Sequence, residues 1–213
     1  QPTFKYEIPY MLLITAVLLV MGMTGNEITF IEGVILWILF IAYLLYLYFL
    51  AKKGNDSGDE QSVKLYPVWK CLLFIVLGGV CVVIGSQFVV NGATTIARAC
   101  GMSERFIGLT IIAFGTSLPE LVTSVSAARK GNAGIAIGNI VGSNIFNILF
   151  VIGTVALICP VPFESRFVID TVVAILCGVL LWGGTIRHKE LRKPCGVVML
   201  LCYAAYFVYL AAM

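Results

Sequence analysis

The chain has 213 residues, 60% of them hydrophobic and only 12% charged, with a net charge of +3 and a mean hydropathy of +1.01. That balance lies far from the range of soluble domains and leaves no room for a soluble domain of useful size. It also gives no basic surface that would call for a nucleic-acid partner.

Seven apolar stretches divide the chain, at 8–24, 28–51, 68–97, 106–128, 133–159, 167–186 and 196–213. Most reach the roughly 20 residues that a helix needs to cross a bilayer; the first and last are shorter. The composition therefore reads as an all-α polytopic membrane protein with seven transmembrane helices. Lys5 is balanced by Glu7 before the first stretch, and no small-residue cleavage site follows it, so it reads as a span rather than a signal peptide. Between the second and third stretches, the segment Gly54-Asn55-Asp56-Ser57-Gly58-Asp59-Glu60 is polar and linker-like, and it divides two helices from five.

The fourth stretch carries Glu120, near its centre, within Gly115-Thr116-Ser117-Leu118-Pro119-Glu120-Leu121. A carboxylate near bilayer mid-depth costs about 2.5–3.5 kcal/mol on insertion scales, which makes it a functional residue by default. Pro119 lacks an N–H and so frees a carbonyl one turn earlier, near residue 115, while Thr116 and Ser117 add hydroxyl oxygens. Carbonyl, hydroxyls and carboxylate together form a hard-oxygen ligand set suited to Na⁺, Ca²⁺ or a proton. The competing reading is a Pro-kinked helix with a stray acid. Glu120 lies too far from either end of its stretch for that acid to reach water.

In the fifth stretch, Gly138-Asn139-Ile140-Val141-Gly142-Ser143-Asn144-Ile145-Phe146-Asn147 places Asn139, Ser143 and Asn147 at i, i+4 and i+8, close to one helix face. Gly134, Gly138 and Gly142 form an adjoining stripe that would admit another helix. Taken alone, this is ordinary packing between membrane helices. Beside a Thr/Ser/Glu cluster at similar depth it reads as ligation, with neutral oxygens that coordinate an ion without adding charge.

The remaining reactive residues point to no chemistry. His188 stands in a basic loop with Arg187 and Lys189 and reads as solvated. The seven cysteines (Cys71, Cys81, Cys100, Cys159, Cys177, Cys195 and Cys202) show no metal spacing and behave as small apolar residues. No catalytic nucleophile stands out, so neither an enzyme nor a cofactor is expected.

Charge orients the spans. Lys5, Lys52, Lys53, Lys64, Lys70, Arg129, Lys130, Arg187, Lys189, Arg192 and Lys193 fall on one side, and only Arg98, Arg105 and Arg166 on the other. The positive-inside rule makes the first side cytoplasmic and puts the C-terminus outside. An internal match adds symmetry: Gly33-Val34 and Gly196-Val197 each open a helix, and nine residues on from each glycine stand Ala42-Tyr43 and Ala205-Tyr206. Chance similarity between two aromatic, apolar helices is one explanation. The other is a five-helix inverted repeat, a transporter architecture with its site near the midplane. On that count, three helices would precede Gln1, and the chain would be the C-terminal portion of a longer protein.

The two polar segments resemble the α-repeat of the cation/calcium exchanger superfamily, most closely its bacterial sodium/calcium antiporter branch. The resemblance rests on Gly115 to Glu120 and on Gly138 to Asn147. It implies a ten-helix inverted-repeat fold, of which this chain would be helices four to ten. Residues 1–51 would then be the last two helices of a truncated first repeat, 52–67 a cytoplasmic linker, and 68–213 a complete second repeat with its α-repeat at 106–159. It implies ion ligands at the Ala113 carbonyl, the Thr116 and Ser117 hydroxyls, the Glu120 carboxylate, Ser143 and Asn147. Some relatives, including potassium-dependent ones, have Asp where Asn147 stands, which weighs against potassium coupling. The implied activity is exchange of Na⁺ for Ca²⁺ by alternating access in a bacterial inner membrane, with the missing first repeat supplying a second carboxylate. A Ca²⁺/H⁺ antiporter and a non-transporting membrane fragment or scaffold are the alternatives. The several hydroxyl and amide ligands favour Na⁺, since a proton needs only the carboxylate.

Overall fold

The computed structural model describes residues 3–54, 67–102, 104–186 and 191–212. The linker residue Asp56 and the basic loop around His188 lie outside these. Among the described residues, each of the seven apolar stretches lies mostly in helix. Five described helices are long and apolar enough to cross a membrane, and a sixth crossing forms if one bent pair is counted as a span. The apolar part of the last helix, Lys193–Tyr209, has 17 residues, which is about 25 Å of helix and short of a full hydrocarbon core. The chain forms two compact units.

The first unit joins Gln1–Gly58 with Asn132–Ala204. A π-helical turn, Thr3–Glu7, leads into α1, Ile8–Gly25. Helix α1 stops at Asn26, whose left-handed backbone (φ 54°) suits a short polar side chain. Strand β1, Glu27–Ile28, then pairs antiparallel with β2, Val161–Pro162, and the Phe163 amide donates to Asn26 O at 2.8 Å. This short ladder ties the connection after the first stretch to the connection after the fifth. Both loops therefore share one end of the unit, as alternating spans require.

Helix α2, Phe30–Gly54, opens with a one-way cap in which Glu32 reaches back to Thr29. The amide and hydroxyl of Thr29 both donate to the Glu32 carboxylate, at 2.7 and 2.9 Å, which satisfies groups that a helix start leaves unpaired. The fifth stretch runs as α7, Ala133–Phe146, a π-helical turn, Asn147–Ile152, and α8, Gly153–Ile158. Helix α9, Ser165–Ile186, packs along α1, and α10, Lys193–Ala212, follows. The core is one apolar cluster that includes Ile8 and Ile14 of α1, Leu36 and Phe40 of α2, Phe163 and Leu181. Val141, Ile145 and Leu149, at i, i+4 and i+8 of the fifth stretch, are fully buried in it.

The second unit joins Asp59–Gly131 with Ala205–Met213. Helix α3, Val68–Ala99, is 32 residues long, and its large apolar side chains are mostly exposed, as befits a helix that meets lipid. The fourth stretch folds back along it in four pieces: α4, Glu104–Ile107; a π-helical turn, Gly108–Ile112; α5, Ala113–Thr116; and α6, Leu118–Arg129. The turns after α3 and α6 each use a glycine at positive φ, Gly101 and Gly131. Arg98 Nε and Nη2 donate to Glu104 Oε1 and Oε2 at 2.6 and 2.9 Å, closing the α3–α4 turn at the surface.

Candidate functional site

The fourth stretch is broken at the residues that the sequence singles out. Its two halves, Thr110–Thr116 and Leu118–Arg129, meet at 51°. Between them Ser117 takes φ −92° and ψ 1°, and its amide donates to Phe114 O at 3.1 Å. In a regular α-helix that amide would bond the carbonyl of Ala113, so Ala113 O loses its ordinary donor. Gly115 O loses its own because Pro119 has no N–H, although the Ser117 amide also turns toward it. A Cβ on Gly115 would run into the Val90 side chain of α3, so the break rests directly against that helix.

Glu120 is therefore not in mid-helix, as the unbroken apolar run suggests. It occupies the first turn of α6, beginning one residue after the break. Backbone N–H groups at a helix start carry partial positive charge, which favours a carboxylate there. Glu120 is half-buried and its Oε2 is shut off from solvent. Thr116 and Ser117 are exposed at the bend. Ala113, Thr116, Ser117 and Glu120 thus lie within eight residues around one discontinuity, with carbonyl, hydroxyl and carboxylate oxygens together.

The fifth stretch presents Asn139, Ser143 and Asn147 two positions away from Val141, Ile145 and Leu149. Two residues of an α-helix are about 200° of rotation. The polar stripe therefore lies opposite the stripe buried in the core of the first unit. Asn139 and Ser143 are half-buried and Asn147 is exposed. Ser143 Oγ donates to Ile140 O at 3.0 Å, which leaves its oxygen lone pairs to accept. Asn147 begins the π-helical turn, where the helical ladder widens. Within the first unit nothing stands within 4 Å of a Cβ on Gly138 or Gly142. The close approach occurs at Gly153, against Gly33 of α2.

The family profile described as sodium/calcium exchanger protein matches residues 70–212, well over half of the chain. The chain belongs to the sodium/calcium exchanger family. Across 92% of its length it is 32% identical to the inner membrane protein YrbG of Escherichia coli K12, of which it covers 63%. It is 37% identical to the sodium/calcium exchanger MaX1 of Methanosarcina acetivorans over 66% of this chain and 41% of that protein. The solved sodium/calcium exchanger of Methanococcus jannaschii superposes with a TM-score of 0.76 at 30% identity, over 94% of this chain and 63% of that one. The chain thus spans about two fifths to two thirds of the length of these relatives and shares their polytopic exchanger fold.

Among the described residues no group of three or more His, Cys, Asp or Glu side chains gathers in one place. One polar run escaped the sequence reading: Gln87, Asn91, Thr94 and Thr95 on α3. Gln87 Nε2 donates to Asn91 Oδ1 at 3.1 Å, and Thr95 Oγ1 donates to Asn91 O at 2.8 Å. Thr94 is buried and its hydroxyl has no hydrogen-bond partner. The signal was available in the i, i+4 spacing of Gln87, Asn91 and Thr95, muted by the apolar residues around them.

Proposed function

We propose that this chain forms part of a secondary antiporter that exchanges Na⁺ for Ca²⁺, with Ala113, Thr116, Ser117, Glu120, Ser143 and Asn147 as its share of the ion ligands. The observation that carries the proposal is Glu120 in the first turn of a half-helix that begins one residue past a break that releases backbone carbonyls. Discontinuous helices of this kind let irregular backbone meet an ion inside a membrane, where it is tolerated only along a cavity or within protein. The polar stripe of the fifth stretch, turned away from its own core, supplies Ser143 and Asn147.

Ca²⁺ collects six to eight oxygens, and in a low-dielectric site its charge needs more than one carboxylate. This chain offers one, Glu120. A second would come from an equivalent repeat on three preceding helices, with 1–51 closing that first repeat, 52–67 a linker and 68–213 the second repeat. Alternate occupancy by Ca²⁺ or several Na⁺, with the halves rocking about the site, gives antiport. We place the protein in a bacterial inner membrane, its basic loops cytoplasmic and its C-terminus outside. Neutral Asn147 argues against potassium coupling, and the ions are transported cargo rather than resident cofactors.

The test is Ca²⁺ uptake by vesicles carrying the full-length protein under an imposed Na⁺ gradient and, separately, a pH gradient. Na⁺-driven uptake supports the proposal. Uptake driven by the pH gradient alone would transfer it to Ca²⁺/H⁺ exchange, and no uptake under either gradient would leave a non-transporting membrane protein.

A further inference from the structure

A cavity of about 340 Å³ opens between α1 and α2 in the first unit, away from the polar stripe. Four tyrosines (Tyr6, Tyr10, Tyr43 and Tyr46) and Glu7 line it, with Leu39 and Ala42. Glu7 is only 8% exposed. Among the described residues no cationic side chain forms an ion pair with it; Arg98 pairs instead with Glu104. A largely buried carboxylate with no cation paired to it favours positive charge in the cavity beside it.

The lining says which kind. A bare metal ion needs six or more oxygens at close range, and here Glu7 and phenol groups are the polar side chains. Tyr10 donates its hydroxyl to Leu39 O at 2.9 Å, so that proton is already engaged. Aromatic faces, by contrast, attract organic cations, and a cavity of this size fits a small molecule or a headgroup. Tyr10 stacks on Tyr43 at 5.4 Å, and Tyr43 lies 6.2 Å from Tyr46, which fixes the rings as a wall. At the rim Lys5 already holds an ammonium 5.3 Å from the Tyr6 ring centre. The Tyr46 hydroxyl oxygen is buried with no hydrogen-bond partner, so it can still accept.

We propose that this cavity binds a primary organic ammonium group, R–NH₃⁺. Its N–H groups donate to the Glu7 carboxylate and the Tyr46 hydroxyl, and its charge rests against the tyrosine faces. The group is either the headgroup of an amine-bearing phospholipid or a soluble amine, and the two sources are separable. The ligand does not share the proposed exchange site, so the inference stands or falls independently of ion transport.

The experiment uses the purified full-length protein and two probes. Ethanolammonium chloride is titrated against thermal unfolding in detergent, with NaCl at equal ionic strength as reference, and native mass spectrometry follows retention of phosphatidylethanolamine against phosphatidylcholine. A saturable melting shift with ethanolammonium, weakened about tenfold or more in Glu7→Gln, supports the site. Selective retention of phosphatidylethanolamine in the wild type, lost in Glu7→Gln, identifies the lipid as the source. A melting shift without lipid retention identifies a soluble amine. If Glu7→Gln does not fold, Tyr46→Phe decides: it keeps the ring and removes one acceptor, and its binding must weaken. No saturable shift and no selective lipid, or binding unchanged in the variants, overturns the proposal.

Discussion

Gly33 of α2 and Gly153 of α8 meet backbone to backbone: a Cβ on Gly33 would stand 3.1 Å from Gly153 O and 2.9 Å from the Ala156 Cβ. Small residues let membrane helices approach this closely, and dispersion then replaces the hydrophobic effect as the attraction. Trp37 secures the same seam by donating Nε1–H to Thr154 Oγ1 at 3.2 Å and by packing on Phe150. Gly33→Val should therefore cost about 1–3 kcal/mol by overpacking, read as a lower melting temperature in detergent. Gly79→Val, on an open face of α3, is the control and should melt with the wild type.

Asn147→Asp adds a carboxyl on the polar stripe of the fifth stretch. On the proposed function it would join Glu120 as a second acid serving the ion, and two neighbouring carboxylates cannot both ionise cheaply without a cation or a proton. Exchange should become more sensitive to acid than in the wild type, and ion preference should shift. Flux measured against pH with Na⁺ or K⁺ gradients checks this, and an unchanged profile and selectivity would make Asn147 a packing residue.

The hydrogen bonds from Arg98 hold the Glu104 carboxyl below its ordinary value of 4.5. A depressed folded-state pKa contributes stability above the unfolded value, and that contribution is lost as pH falls through the folded one. Both groups are exposed, so the effect is small and screened by salt. Glu104→Gln should melt slightly below the wild type at neutral pH, and the two curves should converge in acid.

The pairing of β1 with β2 makes a prediction that does not depend on orientation. Single cysteines at Glu27 and Glu164, in a background without the native cysteines, should react with an impermeant reagent from the same side. The charge asymmetry adds that this side is the outside, and that cysteines at Asp56 and His188 stay protected there. Labelling of Glu27 and Glu164 from opposite sides would contradict the ladder, and outside labelling of Asp56 would reverse the orientation.

The helical, membrane-spanning character was legible because length and composition alone set what a bilayer accepts; five described helices, or six with the bent pair, are long and apolar enough to cross. The polar stripe of Asn139, Ser143 and Asn147 was legible from its four-residue spacing, and the buried stripe of Val141, Ile145 and Leu149 opposite it explains its direction. Pro119 announced a kink, but not the rearranged Ser117 amide or the placement of Glu120 in a helix's first turn. The π-helical turns at Gly108–Ile112 and Asn147–Ile152 add a residue to a turn without a compositional mark. Glycines show where close approach is possible, not which helix comes: Gly153 meets Gly33, 120 positions away in sequence. The tyrosine-lined cavity was hidden for the same reason, since Glu7 and Tyr46 belong to different helices.

The central claim is that Glu120 carries the ion. Glu120→Gln keeps the shape of the side chain and removes its charge, so in the full-length protein the fold and membrane insertion should survive. Na⁺-gradient-driven uptake of radiolabelled Ca²⁺ into vesicles should then fall to the level of protein-free vesicles. Wild-type uptake by a correctly inserted Glu120→Gln protein would contradict the account.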